Sequence, residues 1–504
     1  MKKMRLNLKK MAFNSYFIGM LLCCIVHQNI ALGSIAGSNE NKQTDKPETP
    51  QLVDTNIVGK IDGYDITKQE LEKRLILELQ PDPYKLYTEQ SKPKDANSML
   101  MVILGEKAVE MEARKQGLLE DEMVKENIKI ERQRRIVNLW VQYNIKKEHD
   151  KIAATEQEIE EQIKANPKLD KDNAKAAIES AKTNKILNQC YETLYKKSDV
   201  KKITANYPKV IEIHDRLLNH PVKPRNVSFI RDYQVKDELT DEEKNLVLAT
   251  FTNGKITLQD WFDTLCDLSP PGRPKNLNTE NGVEQILERT LSTPLIMADA
   301  HSLGLDTDPA FLKQMKNIED EMLLNVVRNK KNEEVNEPTP EKILAFYNEN
   351  KEWFFQNRFM KIDQIWCKDS ETAQIARKEL NSGKDFNDVK KEYSLFPESI
   401  SYQATPNYEG YFWKEIWPGK PGDIIGPIKY FHSGEIKWCI VKIIEKNPGK
   451  QQEYSKELET SVKYLMMSII ADKNMEDYCL DTLKKYHYEI FSDRIKNIDP
   501  MNIP

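Results

Sequence analysis

Cysteine and histidine are the side chains most often used for nucleophilic or metal chemistry, and this 504-residue chain has seven of each. Cys23 and Cys24 fall in an apolar N-terminal run. The other five, Cys190, Cys266, Cys367, Cys439 and Cys479, are far apart, with no Cys-x-x-Cys and no metal-ligand rhythm. An odd, scattered set is not a disulfide framework, so buried apolar thiols are expected. The histidines form no i, i+4 pair and no His-Glu-x-x-His, so neither a metal site nor a cofactor is expected. Acidic residues 156–161 and basic residues 328–331 read as solvated helix faces. Nucleophilic and metal chemistry are therefore poorly supplied.

At roughly 100–200 residues per domain, the length predicts about three domains. Lys and Arg number 75 against 80 Asp and Glu, a net charge of −5, and 31% of residues are charged. That composition excludes a polytopic membrane protein, and the lack of a basic excess argues against nucleic-acid binding. With only 18 Gly and 24 Pro, the chain is not linker-dominated. Scarce glycine with abundant Lys and Glu predicts a helix-rich protein.

One pattern occurs twice. Ile57-Val58-Gly59-Lys60-Ile61-Asp62-Gly63-Tyr64-Asp65-Ile66-Thr67 is followed by Lys68-Gln69-Glu70. Leu248-Ala249-Thr250-Phe251-Thr252-Asn253-Gly254-Lys255-Ile256-Thr257 is followed by Leu258-Gln259-Asp260. Each reads as strand, glycine turn, strand, then a Thr-x-x-acid capping box, so helices should start at Thr67 and Thr257. Two apolar stripes follow with the same steps: Leu100, Leu104, Ala108, Met111, and Leu287, Leu291, Leu295, Ala298. Each leads to a glycine, Gly117 or Gly304, placed to close a helix at C′. A third correspondence pairs Thr155-Glu156-Gln157-Glu158 with Thr339-Pro340-Glu341-Lys342, again helix starts. Three landmarks in one order predict a duplication.

After Phe355 the texture changes. Residues 359–366 and 437–444 alternate as strands, 372–380 and 386–393 read as helices, and Pro418-Gly419, Pro421-Gly422 and Gly426-Pro427 read as turns. This is an α+β unit of normal small-domain size. Beyond Pro448, Leu458, Val462, Leu465, Ile469 and Ile470 form a helical stripe that needs a partner groove, before an aromatic-rich end over 486–491.

The N-terminus reads as an export signal: basic Lys2, Lys3, Arg5, Lys9 and Lys10, an apolar run over 17–26, and small residues near Gly33 and Ala36. The run is shorter than the ~20 residues of a membrane span. Residues 37–53 read as a flexible linker.

The residues quoted above resemble the exported parvulin-type peptidyl-prolyl isomerases and their chaperone relatives, the SurA- and PrsA-like proteins. The Gly59-to-Thr67 element is similar to the opening of their helical chaperone module. Residues 356–447 resemble the parvulin domain through Gly383-Lys384-Asp385-Phe386, Tyr393-Ser394, Glu409-Gly410-Tyr411-Phe412, Pro421-Gly422 and the strand around Trp438. The fold this implies is α+β: duplicated, mostly helical chaperone modules, a small parvulin-like α/β domain and a C-terminal helix. The implied boundaries are a signal at 1–36, a linker at 37–53, helical modules at 54–235 and 236–355, the parvulin-like domain at 356–447, and a C-terminal helix segment at 448–504 packing back on the modules.

The resemblance also locates the family's active-site positions, all substituted here. Gln364 and Cys439 stand where the family has histidines, and Phe396 where it has Cys or Asp. The segment from Gly410 to Gly422 is short, and Phe412, Trp413, Ile416 and Trp417 are the implied substrate-binding residues. In the family register Gln364 and Cys439 face one another, while Cys367, an odd step from Gln364, points to the other face, which disfavours a Cys367–Cys439 disulfide. Rotation about X–Pro faces a barrier of ~18–20 kcal/mol and needs a dry proline pocket with polar groups that favour the twisted imide. With those groups replaced, weak or lost isomerase activity is expected. The implied partners are unfolded or nascent exported polypeptides, with no nucleic acid and no cofactor, in the periplasm or cell envelope. An active isomerase with a remodelled pocket and a non-catalytic partner in an envelope assembly remain the alternatives.

Overall fold

The computed structural model describes residues 56–79, 94–222, 227–409, 411–432, 435–500 and 503. The expected signal, the linker and Gly410 lie outside the described residues. Two compact units are present: residues 126–318, and residues 56–125 together with 319–503. The expected modules 54–235 and 236–355 are thereby distributed over both units. Among the described residues no helix is long and apolar enough to cross a membrane.

Both hairpins form. The first pairs Ile57–Ile61 with Tyr64–Thr67, the second Val247–Phe251 with Gly254–Thr257. Thr67 and Thr257 cap the helices Lys68–Glu78 and Leu258–Asp267, each accepting the backbone N–H three residues on. At Thr257 the box is reciprocal, with its N–H donating to Asp260 Oδ2 at 2.8 Å. Thr155 makes a full box as well, and Thr339 caps Pro340–Glu349 with proline at the first helical position. Such caps contribute ~1 kcal/mol each by satisfying orphan amides. The helices Ala96–Lys115 and Glu280–Ser302 close at Gly117 and Gly304, with φ of 72° and 71°. Leu100, Leu104 and Ala108, like Leu287, Leu291 and Leu295, are fully buried, whereas Met111 and Ala298 are half-buried. In the strand register Gly63 corresponds to Asn253, because Gly254 already opens the second strand; Gly63 adopts the left-handed turn conformation, with φ of 86°.

Neither hairpin is left as two strands, which would be marginal alone. Tyr488–Ile490 adds a third strand to the first hairpin, and Lys201–Lys202 adds one to the second. Beside the first, Lys456–Leu483 packs along Ala96–Lys115, so closely that a Cβ on Gly105 would lie 3.0 Å from Cys479 Cβ. Its N-terminal residues Leu458, Val462 and Leu465 bury against Ile343, Tyr347 and Phe354. Ile470, expected in that buried stripe, is exposed; Ile469 is half-buried, because the helix passes from one partner to the next at this point. Beside the second hairpin, Lys171–Lys197 packs along Glu280–Ser302.

The α+β region is a four-stranded antiparallel sheet in the order Tyr402–Ala404, Phe359–Cys367, Glu435–Asn447, Ile424–His432. Helices Ser370–Asn381 and Phe386–Tyr393 cover one face, burying Ile365, Cys367 and Ile440 with Ala373, Ala376 and Val389. The short helix Tyr411–Ile416 covers the other, over Met360, Ile362, Trp366, Cys439 and Val441. Gly426-Pro427, read as a turn, lies inside a strand instead. The ladder slips there between Cys439 and Val441, Gly426 has a φ of 105°, and any Cβ on it would be 2.6 Å from Cys439 O.

Candidate functional site

The site lies on the sheet face under Tyr411–Ile416 and at its rim. Strand register aims Ile362, Gln364 and Trp366 at this face, since alternate residues share a side. Gln364 is directly opposite Val441, and Cys439 is opposite Trp366. The expected face-to-face Gln364–Cys439 pair is therefore two residues out of register: the two share a face but sit diagonally. Cys367 is on the opposite face from Cys439, and both are free thiols.

Cys439 has no solvent exposure, and burial pushes its thiol well above the ordinary value. Its thiol is therefore closed off from solvent. Gln364 is also buried, and its amide is engaged at both ends: Nε2 donates to the Tyr402 hydroxyl at 3.2 Å, and Oε1 accepts from Trp366 Nε1 at 3.1 Å. The network extends to Glu409, which is buried and accepts from the Tyr430 hydroxyl at 2.8 Å and from Tyr402. Burial holds the Glu409 carboxyl above its ordinary range, and the two tyrosine hydroxyls only partly offset it.

Around this network runs a line of aromatic rings. Phe396 packs on His432 with centroids 5.0 Å apart, His432 stacks on Trp366 at 4.4 Å, Trp366 on Tyr430 at 5.8 Å, and Tyr430 on Phe412 at 4.0 Å. Phe396 is fixed at the end of the line by Ser394, whose Oγ accepts from the backbone N–H of both Trp366 and Phe396. Leu395 N also donates to Trp366 O at 2.7 Å. The outer ring is open: Phe396 is 39% exposed, and Leu395 before it and Tyr402 after it in the chain are similarly exposed.

The implied substrate-binding residues are mostly inside. Phe412, Trp413 and Ile416 are buried in the core beneath the sheet. Trp417 is half-buried, stacked on Trp413 at 4.7 Å with the Lys446 ammonium over its ring. They form an apolar floor, while Leu395, Phe396, Ile400, Tyr402 and Tyr408 carry exposed apolar surface. His432 was not selected from sequence, because it belongs to no motif and reaches Trp366 only through strand pairing. Its imidazole pKa is lowered by burial. Among the described residues no group of three or more His, Cys, Asp or Glu could hold a metal ion.

Residues 338–457 match the family described as PPIC-type PPIASE domain. The chain carries a parvulin-type domain. The match starts within the segment that holds the Thr339-capped helix and ends at the opening of the C-terminal helix, so it spans the whole sheet. No curated protein matches the chain. Similar solved structures include a SurA-like chaperone of Campylobacter jejuni, 17% identical, covering 53% of this chain and 97% of its own, with a TM-score of 0.22. PrsA from Bacillus cereus is 18% identical and covers 51% of this chain and 96% of its own, with a TM-score of 0.21. Foldase PrsA from Streptococcus pneumoniae is 12% identical, with coverages of 38% and 73% and a TM-score of 0.24.

Proposed function

We propose that this parvulin-type protein is an exported folding factor that binds unfolded or proline-containing polypeptide segments, with isomerase activity weak or lost. One observation carries the reading: the parvulin-type site is filled from within. Its polar groups, Gln364, Tyr402, Tyr430 and Glu409, bond to one another, and its floor is packed aromatic core. Removing one preorganised donor from an active site typically costs ~2.7–4 kcal/mol of transition-state stabilisation. Here the side chain at one family position is buried without exposure and at another is engaged at both ends. What stays accessible is an apolar ledge led by Phe396, which suits gripping an extended chain more than twisting an imide.

The N-terminal signal-like segment supports export to the periplasm or cell envelope, and the repeated hairpin-and-helix pattern supports reading the helical parts as duplicated chaperone modules. Nascent exported polypeptides are then the partners. The test runs two assays on the same preparation. The protein should suppress aggregation of an unfolded client at equimolar to several-fold excess, and Phe396→Ala should weaken that suppression without lowering thermal stability. In a protease-coupled proline-peptide assay the rate should stay near that of buffer. No suppression at any ratio would sink the reading.

One specific feature favours a second reading, an isomerase with a remodelled pocket. His432, a half-buried imidazole, sits between Phe396 and Trp366 on the same aromatic line and is a hydrogen-bonding group the family positions do not supply. Turnover well above buffer that His432→Ala abolishes would select it.

A further inference from the structure

The two hairpin cores match residue for residue. All four register pairs of the first recur 190 positions later: Ile57–Thr67 and Val247–Thr257, Gly59–Ile66 and Ala249–Ile256, Lys60–Asp65 and Thr250–Lys255, Ile61–Tyr64 and Phe251–Gly254. The register slips at the same step in both, between Ile57 and Gly59 and between Val247 and Ala249. The bond tying each following helix to its hairpin also recurs. Lys68 N donates to Asn56 O at 2.6 Å, and Leu258 N to Leu246 O at 2.8 Å.

The segments that close the cores match as well, but in crossed order. The first core is closed by the last strap of the chain, Lys456–Leu483 running into Tyr488–Ile490; the second is closed by a strap that precedes it, Lys171–Lys197 running into Lys201–Lys202. Glu489 lies opposite Lys60 and Ile490 opposite Gly59, while Lys201 lies opposite Thr250 and Lys202 opposite Ala249. The next residue bonds alike: Phe491 N donates to Val58 O at 3.0 Å, and Ile203 N to Leu248 O at 2.8 Å. An equivalent ion pair crosses each seam, Lys485 to Glu112 and Lys197 to Asp299, both at 3.6 Å. A Thr-capped helix leans on each strap, Pro340–Glu349 on Lys456–Leu483 and Glu156–Ala165 on Lys171–Lys197. Between the members of the first such pair lies the whole parvulin-type sheet; between the members of the second lie only residues 166–170.

We infer that the chain is two copies of one module, each core closed by the strap encoded after the other core, and that the copy in residues 126–318 is a complete module without a parvulin-type domain. Chain order alone would favour the uncrossed arrangement, in which each core takes the strap that follows it. The backbone bonds would be the same, so side chains must choose, and here charge chooses. In the crossed form Lys60, whose ammonium pairs with Asp65 of its own hairpin at 3.3 Å, has Glu489 as its strand neighbour, and Lys202 Nζ reaches Glu284 at 2.6 Å as well as Glu288. Uncrossed, Lys201 would face Lys60, a like-charge pair across strands. Lys202 would meet Asn97 and Met101, the counterparts of Glu284 and Glu288 in Ala96–Lys115. Ile490 would leave those two glutamates side by side with no cation between them.

Crossing also sets an order. The core at 247–302 has all its parts once the chain has emerged past Gly304, whereas the core at 57–115 waits for residue 490. This closure is independent of whether the parvulin-type site turns over.

Exposed strand positions make the closure testable in the full chain, since Lys60, Thr250, Lys201 and Glu489 are all solvent-facing. Two double variants report the crossed form: Lys60→Cys with Glu489→Cys, and Thr250→Cys with Lys201→Cys. Two report the uncrossed form: Lys60→Cys with Lys201→Cys, and Thr250→Cys with Glu489→Cys. With a short bis-maleimide and peptide mapping, the crossed pairs should link at least ten times faster. Equal rates, faster uncrossed linking, or no linking of the crossed pairs would overturn the assignment. Lys202→Glu reads the charge rule. Amide protection over 247–257 should fall about ten-fold and return when Glu284→Lys and Glu288→Lys are added; a loss that this reversal does not restore would refute it.

Discussion

His214 makes the pH response of residues 126–318 quantitative. It lies on the helix Tyr207–Asn219, is buried, and meets the edge of Trp261 at 6.3 Å between centroids. Burial lowers its pKa from 6.5 to about 4; the carboxylate of Asp215 works against the shift and Arg273 works with it. Because the folded pKa lies below the unfolded one, the stability is full above pH 6.5. It declines as pH falls from 6.5 towards about 4, where the unfolded chain takes up a proton that the folded chain refuses. A gap of about 2.5 units at ~1.36 kcal/mol each is ~3 kcal/mol, roughly three-hundred-fold in local opening once the pH lies below both values and somewhat under a hundred-fold at pH 4.5. The perturbation is His214→Leu, apolar and similar in bulk. The assay is amide exchange of the peptides covering 247–265, corrected for intrinsic rates, at pH 7.5 and pH 4.5 in both proteins. Wild type should lose most of two decades of protection that the variant keeps. Equal losses in the two proteins would show that His214 is not the titrating group and that the burial argument fails.

Other consequences follow from single contacts. Glu409 has the opposite sign: its raised pKa gives stability that is present below the ordinary 4.5 and lost as pH rises through the shifted value. Urea midpoints of wild type should therefore match Glu409→Gln near pH 4 and fall below it at neutral pH. Asp320 is buried and accepts from Arg114 at 2.6 Å and Lys107 at 3.1 Å. Asp320→Ala should cost ~2 kcal/mol in chemical denaturation, because charge-assisted bonds to two cations are lost while Lys107 keeps Glu110 and Arg114 keeps Glu319. Gly282→Ala should lower Tm, although alanine normally favours a helix by ~1 kcal/mol, because its Cβ would lie 2.1 Å from Asn276 O. An unchanged or raised Tm would mean the backbone yields there at little cost.

How much was legible from sequence depended on how far each bond reaches along the chain. Thr67, Thr155, Thr257 and Thr339 announced helix starts because a cap involves a residue and its neighbour three positions on. Gly117 and Gly304 announced helix ends because a left-handed residue costs glycine nothing. The strands of the parvulin-type sheet followed from alternation, and its landmark order from motifs that are themselves local. Tertiary structure decided everything that rests on pairing between distant segments. Strand register, and not residue type, put Cys439 opposite Trp366 and carried the unremarked His432 onto the same ring line. Tertiary packing also decided what Phe412, Trp413 and Ile416 touch, placing them in the core under the sheet, since periodicity says that a side faces inward but not what it meets there. The choice of strap for each core lies furthest from the sequence signal. The two hairpins share one register, so the backbone edge they offer is alike, and the contacts that mark a strap as belonging to its core are side-chain ones such as Lys202 with Glu284 and Glu288.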